Sequence, residues 1–92
     1  MDTQIFKVLL QTEVLQIDSQ KAESGKLPKC TIVLQKFGGK YQDSFSATMF
    51  GNNALLRFNT GDIVAANLRF TAREYQNQVY QDVVINDIVK LS

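Results

Sequence analysis

Residues 44–75 of this 92-residue chain read SFSATMFGNNALLRFNTGDIVAANLRFTAREY, and this segment carries the clearest structural signal in the sequence. Its first part, residues 44–50, alternates polar with apolar side chains, which is typical of a β-strand that has one face in water. The positions expected to face the core are Phe45, Ala47 and Met49. The opposite face carries Ser44, Ser46, Thr48 and Phe50. Phe50 is therefore predicted to be an aromatic ring at the end of a polar face, with an inward-turned ring as the alternative.

A short helix and a second long strand are predicted in the rest of this segment. Gly51 ends the first strand, and Asn53 is expected to cap a helical turn over residues 54–58. The sequence Asn-Thr-Gly-Asp at residues 59–62 predicts a turn. In the strand after this turn, the expected core face is Val64, Ala66, Leu68, Phe70 and Ala72. The other face carries Asn67, Arg69, Thr71, Arg73 and Tyr75.

The N-terminal part predicts one long, bent strand from Ile5 to Ile17. Its expected core positions are Phe6, Val8 and Leu10. Ile5 and Leu9 then point outward, which indicates either a partner surface at a sheet edge or a second face covered within the monomer.

Two further strands complete the pattern. Pro28 leads into a strand over residues 29–36 whose inward positions are Cys30, Ile32 and Leu34. Gly38-Gly39 predicts a tight hairpin after it, because paired glycines supply positive φ angles. A second hairpin tip is expected at residues 74–78. The last strand runs from Val79 to Leu91, and its mixed parity around residues 83–87 is explained either by a bulge or by burial on both faces.

The order of these elements predicts the fold. Five strands with a short helix between the third and fourth are the pattern of an all-β, five-stranded OB-fold, a Greek-key barrel. An SH3-like barrel is the main rival, but it lacks a helix at this position. The chain length fits a single OB-fold domain spanning residues 1–92.

Composition narrows the class of protein. The formal net charge is +1, but residues 21–40 hold five lysines against one glutamate, a local charge of +4. Cys30 is the only cysteine, so no intrachain disulfide can form, and it is expected in the core. No apolar run approaches the length of a transmembrane helix, and the first residues do not resemble a signal peptide. These features favour a cytoplasmic protein without membrane contact.

Several short motifs resemble bacterial single-stranded-DNA-binding proteins. They are Phe50-Gly51 at a strand end, Gly61 with Val64 at the start of the next strand, Arg73-Glu74-Tyr75 at its end, and Tyr80 followed by Val83-Val84-Ile85. The chain is similar above all to short, poorly characterised members of this group that share the Arg-Glu-aromatic hairpin. The resemblance implies an OB-fold and bases stacked on exposed rings, here Phe50 and Tyr75. Ser44 stands where the family has a large aromatic residue. The last residues lack the family's glycine-rich linker and acidic tip, so we expect no protein-recruiting tail.

Rings and cations coincide on the groove expected across strands two and three. Single-stranded nucleic acid is bound by flat side chains that stack on bases and by cations that contact phosphates. The predicted binding residues are Lys29, Lys36, Phe37, Lys40, Tyr41, Phe50, Arg69, Arg73 and Tyr75, with Lys21 and Lys26 nearby. Tyr41 shares the parity of Phe45, so burial is its alternative. Stacking tolerates any base, so the sequence predicts weak base preference.

The predicted function is binding of single-stranded DNA, or alternatively RNA, without catalysis. The other hypothesis is a protein-interaction module whose aromatic face binds a partner protein. An enzyme is disfavoured because the chain has no histidine and no carboxylate cluster or phosphate-loop motif, and no cofactor is expected. A homodimer or tetramer formed through strand 1, by way of Ile5 and Leu9, is predicted.

Overall fold

The computed structural model describes residues 3–18, 25–37 and 44–92. It contains one short helix, and all other regular structure in these ranges is β-strand, which confirms the predicted all-β class. The elements are β1 (Thr3–Gln11), β2 (Leu15–Asp18), β3 (Lys26–Lys36), β4 (Ser44–Phe50), α1 (Asn52–Leu55), β5 (Ile63–Tyr75) and β6 (Gln78–Lys90). No helix in these ranges has the length and apolar character needed to cross a membrane.

The six strands form one sheet in the order β1-β5-β6-β4-β3-β2, and β1 also pairs with β3. Five of the strands therefore pair with one another in a ring, while β2 extends along β3. All pairings are antiparallel except β4 with β6, which run parallel at Thr48 and Val84. Because of this ring, the ends of β3 and β4 lie beside the β5–β6 hairpin.

The predicted first strand is two strands in the structure. β1 and β2 both pair with β3, with Gln11 opposite Ile32 and Leu15 opposite Lys29, and residues 12–14 form the corner between them. The β1–β3 register shifts between Val8 and Leu10, so a bulge reverses the side-chain parity there. This is why Leu10, predicted to be a core residue, is 56% exposed.

Of the two interpretations of Ile5 and Leu9, the one that places β1 at a sheet edge is wrong. Ile5 and Lys7 pair with β5, and Lys7 also pairs with β3. The carbonyl of Ile5 accepts a hydrogen bond from the Phe37 amide at 3.2 Å, and the Val8 amide donates to the Asp62 carbonyl at 2.8 Å. Both sides of β1 are therefore occupied from Ile5 to Val8.

The core is a single apolar cluster inside the ring of strands. The predicted inward positions of β3 are confirmed, including the buried Cys30, as are Ala47 and Met49 of β4, whereas Phe45 is half-buried and packs against the core. Val64, Ala66 and Leu68 are also buried as predicted. Phe70 and Ala72 are not, and Phe70 is 57% exposed. The reason is that the β5–β6 hairpin extends past the core, since every residue from 69 to 81 is exposed.

A bulge in β6 explains the mixed parity of the last strand. Asn67 pairs with Asp87 but Leu68 pairs with Ile85, which leaves Asn86 as the extra residue. The inward side of the strand changes at this point, so Ile85 and Ile88 are both buried although they are three residues apart. The mixed parity of the last strand is therefore explained by a bulge and not by burial on both faces.

Asn53 stabilises this bulge instead of capping a helix. Its side-chain amide donates a hydrogen bond to the Asn86 carbonyl at 3.0 Å. The helix occupies Asn52–Leu55, its N-cap residue is Gly51, and no side chain caps it. The predicted cap and the predicted extension to Phe58 are therefore wrong. The bulge removes the Asn86 carbonyl from regular strand pairing, and the side-chain amide of Asn53 donates a hydrogen bond to it instead.

Candidate nucleic-acid interface

Three of the predicted binding residues line one groove. Lys29 on β3, Phe50 on β4 and Arg73 on β5 surround a volume of about 200 Å³. The remaining lining residues are Thr48, Thr71, Asp82 and Val84. The groove thus combines one aromatic ring, two cations, two hydroxyl groups and one carboxylate, contributed by four strands.

Lys29 and Phe50 form the β3–β4 side of the groove. They are opposite one another in the β3–β4 register, and the Lys29 Nζ lies 5.9 Å from the centre of the Phe50 ring. A cation at this distance from a ring face is attracted to its π electrons. Phe50 is half-buried and lies on the face opposite Met49, so its ring faces the groove and not the core.

The other side of the groove is the β5–β6 hairpin, which turns at Gln76 and Asn77. These two residues have φ angles of 52° and 64°, as a two-residue type I′ turn requires. The turn sets the register, so Tyr75 lies opposite Gln78 and Arg73 lies opposite Tyr80. Because opposite residues share a face of the sheet, Arg73 and Tyr80 project together.

Arg73 is held between a ring and a carboxylate. Its guanidinium carbon lies 5.7 Å from the centre of the Tyr80 ring, and its Nε lies 3.2 Å from Oδ2 of Asp82. The Tyr80 hydroxyl donates a hydrogen bond to Oε1 of Gln78 at 2.5 Å. An exposed ion pair of this kind contributes only about 0–1 kcal/mol to stability. Its main effect here is therefore to orient the guanidinium over the ring.

Two other predicted residues extend this face of the hairpin. Arg69 lies opposite Val84, which lines the groove, and both share a side of the sheet with Arg73. Tyr75 is 63% exposed next to the turn. The predicted set of Arg69, Arg73 and Tyr75 therefore lies along one exposed face.

Sequence reasoning missed Tyr80 and Asp82 as parts of the site. Both positions depend on the hairpin register, and the turn has no glycine to mark it. Asn77 was the available signal, since asparagine tolerates positive φ better than most residues. A turn placed at residues 76 and 77 would have paired Arg73 with Tyr80 and Thr71 with Asp82 directly.

Two predicted residues lie away from the groove. Lys36 has the inward parity of Leu34 and lines a separate apolar pocket of about 240 Å³ together with Phe6, Phe45, Phe70 and other residues. Phe37 is exposed directly after the end of β3 and lies eight residues from Lys29, which is roughly 26 Å of extended chain. Lys26 forms an ion pair with Asp18 at 2.5 Å. Lys21, Lys40, Tyr41 and the Gly38-Gly39 hairpin lie outside the described residues.

Comparison with known proteins does not assign a function to this groove. No protein-family model matches the chain, and no curated protein matches it either. Within residues 3–18, 25–37 and 44–92, no cluster of side chains has the composition of a metal site. The chemistry of the groove therefore carries the functional argument.

Proposed function

We propose that this protein is an OB-fold module that binds single-stranded nucleic acid by base stacking and phosphate contacts, without catalysis. The observation that carries the proposal is the convergence of Lys29, Phe50 and Arg73 on one groove. The ring of strand pairings, with a helix between β4 and β5, supports the OB barrel. In OB-folds, ligands bind on the strand face and loops that correspond to this part of the molecule.

The rings supply the stacking surfaces. Phe50 faces the groove, while Tyr75 and Tyr80 lie on the adjoining hairpin face. Each stacked base contributes on the order of 1–3 kcal/mol. A duplex hides its base faces, so this mode of binding favours single strands, and DNA is the ligand that the family resemblance implies.

The cations supply the phosphate contacts. Lys29, Arg69 and Arg73 lie on or beside the groove, and 69% of the Arg73 side chain is exposed. Their contacts release counterions, so affinity falls as salt rises. This behaviour separates nucleic-acid binding from apolar packing against a partner protein.

The proposal is tested by fluorescence anisotropy of a labelled single-stranded oligothymidine, with a duplex and an oligouridine of equal length as comparisons. Replacing Phe50 or Tyr75 by alanine should weaken single-strand binding about fivefold or more, because one stacking surface is lost. Phe70→Ala is the matched control, since Phe70 is an exposed ring on the opposite face of β5.

Two outcomes would contradict the proposal. One is the absence of single-strand binding at low salt, which would favour the alternative of a protein-binding module. The other is equal weakening by Phe70→Ala and Phe50→Ala, which would place the ligand elsewhere. A tighter complex with oligouridine than with oligothymidine would make RNA the preferred ligand.

We also propose that the protein forms a homodimer or tetramer through the outer face of β1 rather than through its edge. Ile5 lies beside Ala65, and Ala65 lies beside Val89, so three apolar side chains form a row across β1, β5 and β6. Ile5 is 43% and Val89 57% exposed. We expect light scattering to give an oligomer for the unchanged protein and a monomer for Val89→Asp. A monomeric wild-type protein at micromolar concentration would contradict this.

A further inference from the structure

We propose that Asp82 gives the groove a preference for cytosine over thymine, an inference that rests on the proposed binding of single-stranded nucleic acid. Asp82 is the one acidic side chain among the described residues that line the groove. A carboxylate repels the phosphates of a polyanion, and the ion pair with Arg73 occupies only part of its acceptor capacity, so a neutral hydrogen-bond donor is the further partner that suits it. The exposed edge of a base can provide that partner.

The position of Asp82 fixes which atoms a base would meet. It lies opposite Thr71 in the β5–β6 register, and it lines the groove together with Thr48 and Phe50. Its Oδ2 accepts from the Arg73 Nε at 3.2 Å, and 44% of its side chain is exposed. A carboxylate has about four acceptor sites, so the ion pair with Arg73 leaves acceptors that face the groove.

The hydrogen-bonding pattern of the bases then determines the preference. Asp82, Thr48 and Thr71 line the same groove of about 200 Å³ as Phe50, so they are the side chains that we expect the edge of a base stacked on Phe50 to meet. Cytosine carries an amino group at C4 that donates to a carboxylate, while thymine carries a carbonyl oxygen at the same position. The threonine hydroxyls donate or accept equally well and do not discriminate. At the C4 position, Asp82 therefore attracts the cytosine amino group and repels the thymine carbonyl oxygen.

The experiment compares oligodeoxycytidine with oligodeoxythymidine of the same length by competition anisotropy at neutral pH and fixed salt. We expect the unchanged protein to bind the cytidine oligomer about tenfold more tightly, at the lower end of what one base contact provides. In Asp82→Asn the ratio should fall to about twofold or less, because a carboxamide donates to thymine as readily as it accepts from cytosine.

Asp87→Asn is the matched control, because it makes the same change of charge on the same strand. Asp87 lies opposite Asn67 and lines a different pocket, away from the groove. This variant should change the affinity for both oligomers by the same factor and keep their ratio. Using the ratio as the readout also cancels the general gain in affinity that loss of a negative charge produces.

Each outcome bears on a distinct claim. Equal affinity for the two oligomers, or a cytosine preference that survives Asp82→Asn, would overturn the role of Asp82. If both oligomers bind equally and both are lost on Phe50→Ala, the proposed function stands and only this inference fails. If neither oligomer binds, the proposed function fails, and this inference fails with it.

Discussion

Met49 and Phe50 are neighbours in β4, yet Met49 belongs to the core and Phe50 to the groove. Met49 is fully buried in the core, whereas Phe50 lies on the opposite face, half-buried in the groove with the Lys29 amine above its ring. Strand geometry alone produces this division, since successive side chains point to opposite faces. The sequence pattern predicted both positions, because β4 alternates without interruption.

Substitutions at these two positions should have different effects. Met49→Ala should lower the free energy of unfolding by about 2–5 kcal/mol, because it leaves a cavity in the core. Phe50→Ala should lower it by only about 1 kcal/mol, as expected for a half-buried ring, while it weakens binding of single strands. Urea denaturation measures the first effect and anisotropy the second. A Phe50→Ala protein that binds as tightly as the wild type, or a Met49→Ala protein of unchanged stability, would contradict this assignment.

At the scale of elements, the β5–β6 hairpin decides the shape of the site. Its exposed residues have no core to hold them, so the turn at Gln76 and Asn77 sets the register that brings Arg73 to Tyr80 and Asp82. Asn77 has a φ of 64°, a conformation that glycine and asparagine accept but that β-branched residues strongly disfavour.

Substitutions at Asn77 should therefore change the stability of the hairpin according to the φ angle that each residue accepts. Asn77→Gly should leave the hairpin as stable or slightly more stable, whereas Asn77→Val should cost about 1–3 kcal/mol of local stability. Hydrogen exchange of amides 69–81 is the measurement, because an exposed hairpin can open without global unfolding. Gln81→Val is the control, since Gln81 is an exposed strand position that valine fits. Unchanged exchange in Asn77→Val would contradict the turn conformation.

The bulges and the register of the β5–β6 hairpin are the features that the sequence did not predict. Most of the strands, the helix position and most of the core agree with periodicity, but the bulges at Leu9 and Asn86 each reverse the side-chain parity of the residues after them. For that reason, Leu10 was wrongly predicted to face the core. Phe70 was also wrongly predicted to face the core, because the alternation of apolar residues continues in β5 beyond the point where the opposing strands end. Tyr80 and Asp82 were missed because a glycine-free turn left the hairpin register open.

For the whole molecule, the net charge of +1 sets the expected strength of binding. A net charge this small produces little long-range electrostatic attraction. Nucleic acid is therefore attracted mainly by the local cations and rings of the groove, and we expect a single domain to bind it weakly. The apolar row of Ile5, Ala65 and Val89 offers a way to join two grooves in one assembly. Joined sites bind one long strand more tightly than either site alone, because the second contact is made within the complex.

The salt dependence of binding to a labelled oligothymidine tests the central claim most directly. Each phosphate contact on a single strand contributes about −0.7 to the slope of log K against log salt, so Lys29, Arg69 and Arg73 predict a slope of about −2 per domain. We expect single-strand binding at low salt that weakens with this slope, and much weaker binding of the duplex. Binding that does not change with salt, or no binding at low salt, would contradict the assignment of the groove to nucleic acid.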